Sequence, residues 1–235
     1  MNLAFYAFSP RPVPTLAAAL LIALTMWLGF WQLDRAQQKR ERQALFESRM
    51  ADSPVRLTGV GSTSQALLYR RVEAQGRWNA AGQVYIDNQI HDGRAGFHVI
   101  TPLVLTGGTA AVLVNRGWIA RDAAYPRAPA VPVPEGDTRV TGLASLPPAR
   151  FLELSGEAVT GDVWQNLSIE RYRGVMHAQI LPVVVLADVP APGLQAVREV
   201  PDAGVARHQE YALTWFSLAA TALVLWIALN LKRRP

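Results

Sequence analysis

The chain has 235 residues, of which 50% are hydrophobic and only 17% charged, a greasy balance for a soluble protein. It contains no cysteine, which excludes disulfides, thiol nucleophiles, iron–sulfur clusters and thiolate metal sites. The formal charge is +5; its Lys and Arg cluster beside apolar segments and no nucleic-acid motif accompanies them, which points to lipid headgroups.

The first apolar run, Val13 to Leu33, holds 21 residues without a charge. At 1.5 Å per residue it spans about 31 Å, enough to cross the hydrocarbon core. Pro12 and Pro14 stand at its start, where a helix tolerates proline. Trp27 and Trp31 lie toward its far end, as in an aromatic belt. The run is longer than a signal-peptide core and leads into GFWQLDR, which has no small-x-small cleavage site, so an uncleaved anchor over 13–33 is expected. Residues 34–53 lack Gly and Pro and continue the helix as a polar extension. On it, Gln32, Arg35 and Lys39 share one face.

A β-rich domain is expected over 54–207. Strand patterns cover Arg70–Trp78, Gln83–Gln89, Phe97–Leu105, Thr109–Val114, Arg139–Leu143 and Ile180–Ala187. Gly107-Gly108 marks a hairpin turn, and Pro182 argues for an edge position or a late start. Pro126 to Pro134 reads as a surface connection and Glu170 to Ala178 as a short helix. A second apolar run, Tyr211 to Leu231, places another membrane helix over 208–231, followed by the basic tail 232–235 with Lys232, Arg233 and Arg234. The fold class is therefore two membrane helices flanking a mostly antiparallel β-domain, a small sandwich or barrel with one or two short helices. The tail favours an inner C-terminus. Arg11 alone before the first helix, against Arg35, Lys39, Arg40, Arg42 and Arg49 after it, favours the reverse, so charge leaves the orientation open.

No nucleophile elbow, P-loop, H-E-x-x-H or dinucleotide fingerprint is present, so the chain does not read as an enzyme. The histidines are His91, His98, His177 and His208. His91-Asp92 and His98 flank DGRAG at a spacing that fits no common metal site, which makes them loop histidines. His208 opens the second membrane helix, with Tyr211, Ala212 and Trp215 at plus three, four and seven. A neutral imidazole there can serve as an axial ligand to haem iron, beside two aromatic rings suited to a flat macrocycle. The same pattern also describes an ordinary interfacial histidine above an aromatic belt. Arg35 and Arg207 lie at the depth of haem propionates or of lipid headgroups. Arg116 is a candidate either for a partner-facing charge or for a buried, paired one. Trp118 can cover one end of the sheet. Trp31 and Gln32 complete the partner or structural candidates. The small-residue pairs Thr25/Gly29 and Ser217/Thr221 suit packing against partner helices or against each other's helix.

GFWQLDRAQQK at 29–39, YRRVEAQGRW at 69–78, FHVITPLVL at 97–105 with VLVNRGWIAR at 112–121, and HQEYALTWFSLA at 208–219 together resemble the Surf-one (Shy-one in yeast) family of Surfeit-locus assembly factors of cytochrome c oxidase. The matches keep their order over nearly the whole chain; 126–134 and 144–163 are the least family-like. The resemblance implies a bacterial inner-membrane protein with both termini cytoplasmic and the domain periplasmic. It implies assistance to haem-copper oxidase biogenesis around delivery of haem A to the catalytic subunit, with that subunit and haem A synthase as partners. It also implies that His208 is the haem ligand. Alternatives are a haem-free scaffold for the nascent oxidase or the synthase, and a membrane-anchored enzyme, which the missing motifs disfavour.

Overall fold

The computed structural model describes residues 6–59, 63–147, 159–176, 179–198 and 204–233. In chain order the elements are β1 (Tyr6–Phe8), α1 (Pro12–Ala51), β2 (Val55–Arg56), α2 (Ser64–Leu67), β3 (Arg71–Trp78), β4 (Val84–His91), β5 (Arg94–Leu105), β6 (Ala110–Ala120), β7 (Asp137–Ser145), β8 (Val159–Thr160), β9 (Val163–Trp164), α3 (Ile169–Met176), β10 (Gln179–Ala187), α4 (Val205–Asn230) and β11 (Leu231–Arg233). They form two compact units, Met1–Leu45 with Pro201–Pro235, and Phe46–Val200.

In the first unit, α1 and α4 are both long and apolar enough to cross a membrane, and only 11% of each apolar stretch is buried. A core helix of a soluble protein would be mostly covered, whereas the exposed leucines of both helices suit a lipid surface. The two helices pack through small residues: Thr25, Gly29 and Ala36 are buried on α1, Ala212 and Ala219 on α4. Small side chains let backbones approach where apolar burial gives no net attraction. A Cβ at Gly29 would lie 2.4 Å from the Phe216 ring, so the close approach requires glycine. The Thr25/Gly29 pair thus packs anchor against anchor, while Ser217 and Thr221 stay exposed on α4. Near Arg11 and Lys232 the pair is tied off by a two-stranded ribbon in which β1 runs antiparallel to β11. Phe8 stands edge-on to Trp226 at 5.3 Å, whose indole N–H donates to Thr15 Oγ1 at 3.1 Å.

The second unit is a mixed sheet in the order β2-β3-β7-β10-β6-β5-β4-β9-β8, and a further β3–β5 pairing closes β3, β7, β10, β6 and β5 into a five-stranded barrel. Strand β5 has β6 along one edge. Its other edge is divided: β4 pairs with the first part, to Ile100, and β3 with the last three residues, Leu103 to Leu105. Alternate residues of the ring strands fill the interior, among them Val72, Leu103, Val112, Val114, Val183 and Val185. On the outer face Ile100, Leu113 and Val184 pack with Trp164 and with Tyr172 of α3. Burial on both faces explains why β6 begins as a continuous apolar run rather than an alternating one.

The expected strands and the short helix are present, and the barrel is the form the domain takes. Among the described residues three pairings are parallel, β2–β3, β4–β9 and β6–β10. One expectation is corrected. Strand β10 is not an edge; it lies between β7 and β6. Pro182 is tolerated because the β6 register shifts between Ile180 and Val184, and pairing with β7 begins only at Val184. Its missing N–H therefore falls where no ladder needs a donor. The strand expected over Thr109–Val114 runs on, and NRGWIA continues β6 to Ala120. The Pro-rich stretch is fastened inward, with Val131 in a cluster with Tyr85, Phe97, Val99 and Leu194.

Candidate functional site

Gln32 closes the apolar run of α1, and His208 sits in the first turn of α4. One turn beyond each in sequence stand the buried alanines Ala36 and Ala212, which let the helices approach closely enough for the two polar side chains to meet. His208 Nδ1 lies 2.7 Å from Gln32 Oε1. A carbonyl oxygen only accepts, so Nδ1 donates this hydrogen bond, and in the neutral ring the lone pair then lies on Nε2. Nε2 has no hydrogen-bond partner among the described residues.

Around this pair, Arg35 lies over the Trp31 ring at 5.5 Å and donates to Gln38 Oε1 at 3.0 Å. The Gln38 amide in turn donates to Asp34 Oδ2 at 2.8 Å. No carboxylate among the described residues pairs with Arg35 directly. Arg207 is exposed, Tyr211 is 51% and Trp31 41% exposed, and Trp215 is half-buried. Arg207, Tyr211 and Trp215 make no side-chain hydrogen bond or ring pair among the described residues. The structure thus joins Gln32 to His208 and Trp31 to Arg35, and leaves the aromatic face of α4 open. From sequence, Gln32 was visible only as a neighbour of Arg35 and Lys39; its pairing with His208 needed the helix packing. A signal was present nonetheless, since a polar residue closes one apolar run and another precedes the second.

Arg116 and Trp118 are built into the barrel wall. Arg116 is 4% exposed. It donates to Gln83 Oε1 at 3.0 Å and Pro132 O at 2.9 Å, and lies over Trp78 at 5.3 Å. Burial pushes its pKa down from the ordinary arginine value. Carbonyl oxygens, not a carboxylate, accept its hydrogen bonds, and the bond to Pro132 fastens the Pro-rich segment to the sheet. Replacing it by methionine (Arg116→Met) strands the Pro132 carbonyl and should cost the domain about 2 kcal/mol, read as a lowered unfolding midpoint. Trp118 is 2% exposed, donates its indole N–H to Gln89 O at 2.8 Å and stacks near His91 at 5.1 Å.

His91 lies 3.7 Å from Asp92; no group of three His, Asp or Glu able to hold a metal occurs among the described residues. His177 and Arg234 lie outside the described residues. His98 is not a loop residue but sits within β5, opposite Ile86 and Trp118. Burial, with a smaller contribution from His91, lowers its pKa to about 4. A depressed histidine pKa means that the unfolded chain binds the extra proton between pH 6.5 and 4. The domain should therefore lose up to about 3 kcal/mol of stability as pH falls through that window. Unfolding midpoints measured against pH should show this slope, and His98→Gln should flatten it.

The description SURF1 family matches residues 19–220. Surfeit locus protein 1 of Takifugu rubripes is 26% identical, over 91% of this chain and 95% of that protein. The SURF1-like protein of Monosiga brevicollis is 26% identical over 89% and 84%, and Surfeit locus protein 1 of Homo sapiens 25% over 92% and 77%. Because the match begins inside the first membrane helix, takes in the whole barrel and ends inside the second, the chain belongs to the SURF1 family.

Proposed function

We propose that this protein is a non-catalytic assembly factor for a haem-copper cytochrome c oxidase, acting on delivery or insertion of haem A into the catalytic subunit. The reading rests on family membership and, within the molecule, on the Gln32–His208 hydrogen bond. Ligating histidines commonly donate their second ring N–H to an oxygen that fixes the tautomer and ring orientation, and Gln32 supplies that oxygen. His208 Nε2 would hold the iron as an axial ligand. Tyr211 and Trp215 would flank the macrocycle, and Arg35 and Arg207 would meet the propionates. Bound haem A would supply only its identity as cargo for the oxidase. On this reading the protein lies in a bacterial inner membrane with both termini cytoplasmic and the barrel periplasmic, and the catalytic subunit and haem A synthase are its partners.

A second reading is a haem-free scaffold, favoured by the exposed Ser217 and Thr221, which leave a small-residue strip on α4 for another helix. Removing the gene should deplete the haem a absorbance of the oxidase in membranes, and restoring it should bring the band back. An unchanged oxidase spectrum contradicts both readings. A His208→Ala protein that restores the spectrum while still capturing oxidase subunits favours the scaffold.

A further inference from the structure

At the end of the helix pair opposite His208, a groove of about 480 Å³ opens between α1 and α4. Ser9, Arg11, Asn230 and Lys232 line it at the helix ends, and Ala18, Leu21, Ala222 and Leu225 line it farther along the helices. We propose that this groove is a binding site for one acyl chain and the headgroup of an anionic phospholipid.

Charge makes the first argument. Residues 1–33 and 211–235 contain no Asp or Glu, and neither Arg11 nor Lys232 has an acidic partner among the described residues. Three carbonyls of α4 near this end already accept hydrogen bonds. Asn230 O accepts from Ser9 N–H at 2.9 Å, Trp226 O from the Asn230 amide at 2.7 Å, and Ile227 O from the backbone N–H of Leu231. This end therefore offers cations and a hydroxyl without competing negative groups, which suits a phosphodiester.

Length makes the second argument. From Arg11 to Leu21 is ten residues of helix, about 15 Å, or half of the roughly 30 Å hydrocarbon core. A cationic end leading to an apolar channel one leaflet long matches the shape of a phospholipid and not that of a free phosphate. The walls are fixed in advance. The β1–β11 ribbon, the Phe8–Trp226 ring contact and the Trp226–Thr15 hydrogen bond hold both helices at this end, so little ordering opposes lipid entry. The site is independent of haem.

Native mass spectrometry of the full-length protein, offered equal phosphatidylglycerol and phosphatidylcholine in detergent, tests this. Phosphatidylglycerol adducts should predominate. Replacing both cations (Arg11→Gln with Lys232→Gln) should weaken phosphatidylglycerol binding about thirtyfold, taking about 1 kcal/mol per basic residue at a membrane surface. Filling the channel by Ala222→Phe, or by Ala18→Leu should the first variant lose helical content, should remove adducts of both lipids while the cations stay in place. Equal retention of the two lipids overturns the proposal. So does an unchanged preference in the double variant, or displacement of bound lipid by millimolar inorganic phosphate.

Discussion

Gly76→Ala should destabilise the β-domain by about 3 kcal/mol or more, among the larger costs of a single added methyl. The barrel is closed where β3 meets the end of β5: Gly76, Arg77 and Trp78 pair with Leu105, Val104 and Leu103, flanked by hydrogen bonds from Thr106 N–H to Gln75 O and from Asn79 N–H to Pro102 O, both 2.9 Å. A Cβ at residue 76 would stand 1.9 Å from the Val104 carbonyl oxygen and 3.0 Å from Leu105 Cα. These are backbone atoms, which cannot rotate aside as a side-chain end can. The alanine is accommodated only by separating the strands, which opens the ring and wets Leu103 and Leu105 inside it. Gly174 on α3 is the control: nothing lies within 4 Å of its virtual Cβ, so Gly174→Ala should be neutral or stabilise by up to about 1 kcal/mol. Unfolding of the full chain in detergent, followed by the β signal in circular dichroism, separates the two. A Gly76→Ala midpoint equal to that of Gly174→Ala would mean that the seam carries no structural weight.

On the proposed function, Gln32→Leu should weaken haem retention by 10–100-fold, the usual cost of losing the group that orients a ligating histidine. The leucine keeps much of the volume between α1 and α4 but leaves His208 Nδ1 without its acceptor, so the ring can turn and the tautomer is no longer fixed. Gln32→Glu restores an acceptor oxygen at the same reach and should recover most of the binding. A purely structural role for Gln32 gives the opposite order, because a carboxylate at the membrane edge is harder to bury than leucine. Haem content and the position of the Soret band of the purified variants read the difference.

Much of this organisation was legible in the chain. Two uncharged runs of membrane length identify the helices, since nothing else in a small protein needs so many apolar residues together. The strands announced themselves where β-branched runs met turn residues, as at Gly107-Gly108. Long-range closure left no local mark: Gly76 looks like any glycine in a strand until Val104 is seen against it. Pro182 misled because its cost depends on the register of two neighbours, β6 and β7, that lie far away in sequence. Arg116 was ambiguous for the same reason, as its acceptors are Gln83 and a carbonyl of the Pro-rich segment rather than any nearby acid. In the candidate site, His208 and its aromatic neighbours follow from helical spacing. Its bond to Gln32 joins residues 176 apart and depends on the small-residue packing that brings α1 and α4 together.

The central proposal is that His208 holds haem A on its way to the oxidase. The most direct test is the absorption spectrum of the full-length protein purified after co-production with the haem A biosynthetic enzymes, beside its His208→Ala variant purified in the same way. The proposal requires a haem a spectrum from the parent protein and its loss from the variant, with the helical and β signals of both proteins alike. A variant that carries the same haem load as the parent would contradict it.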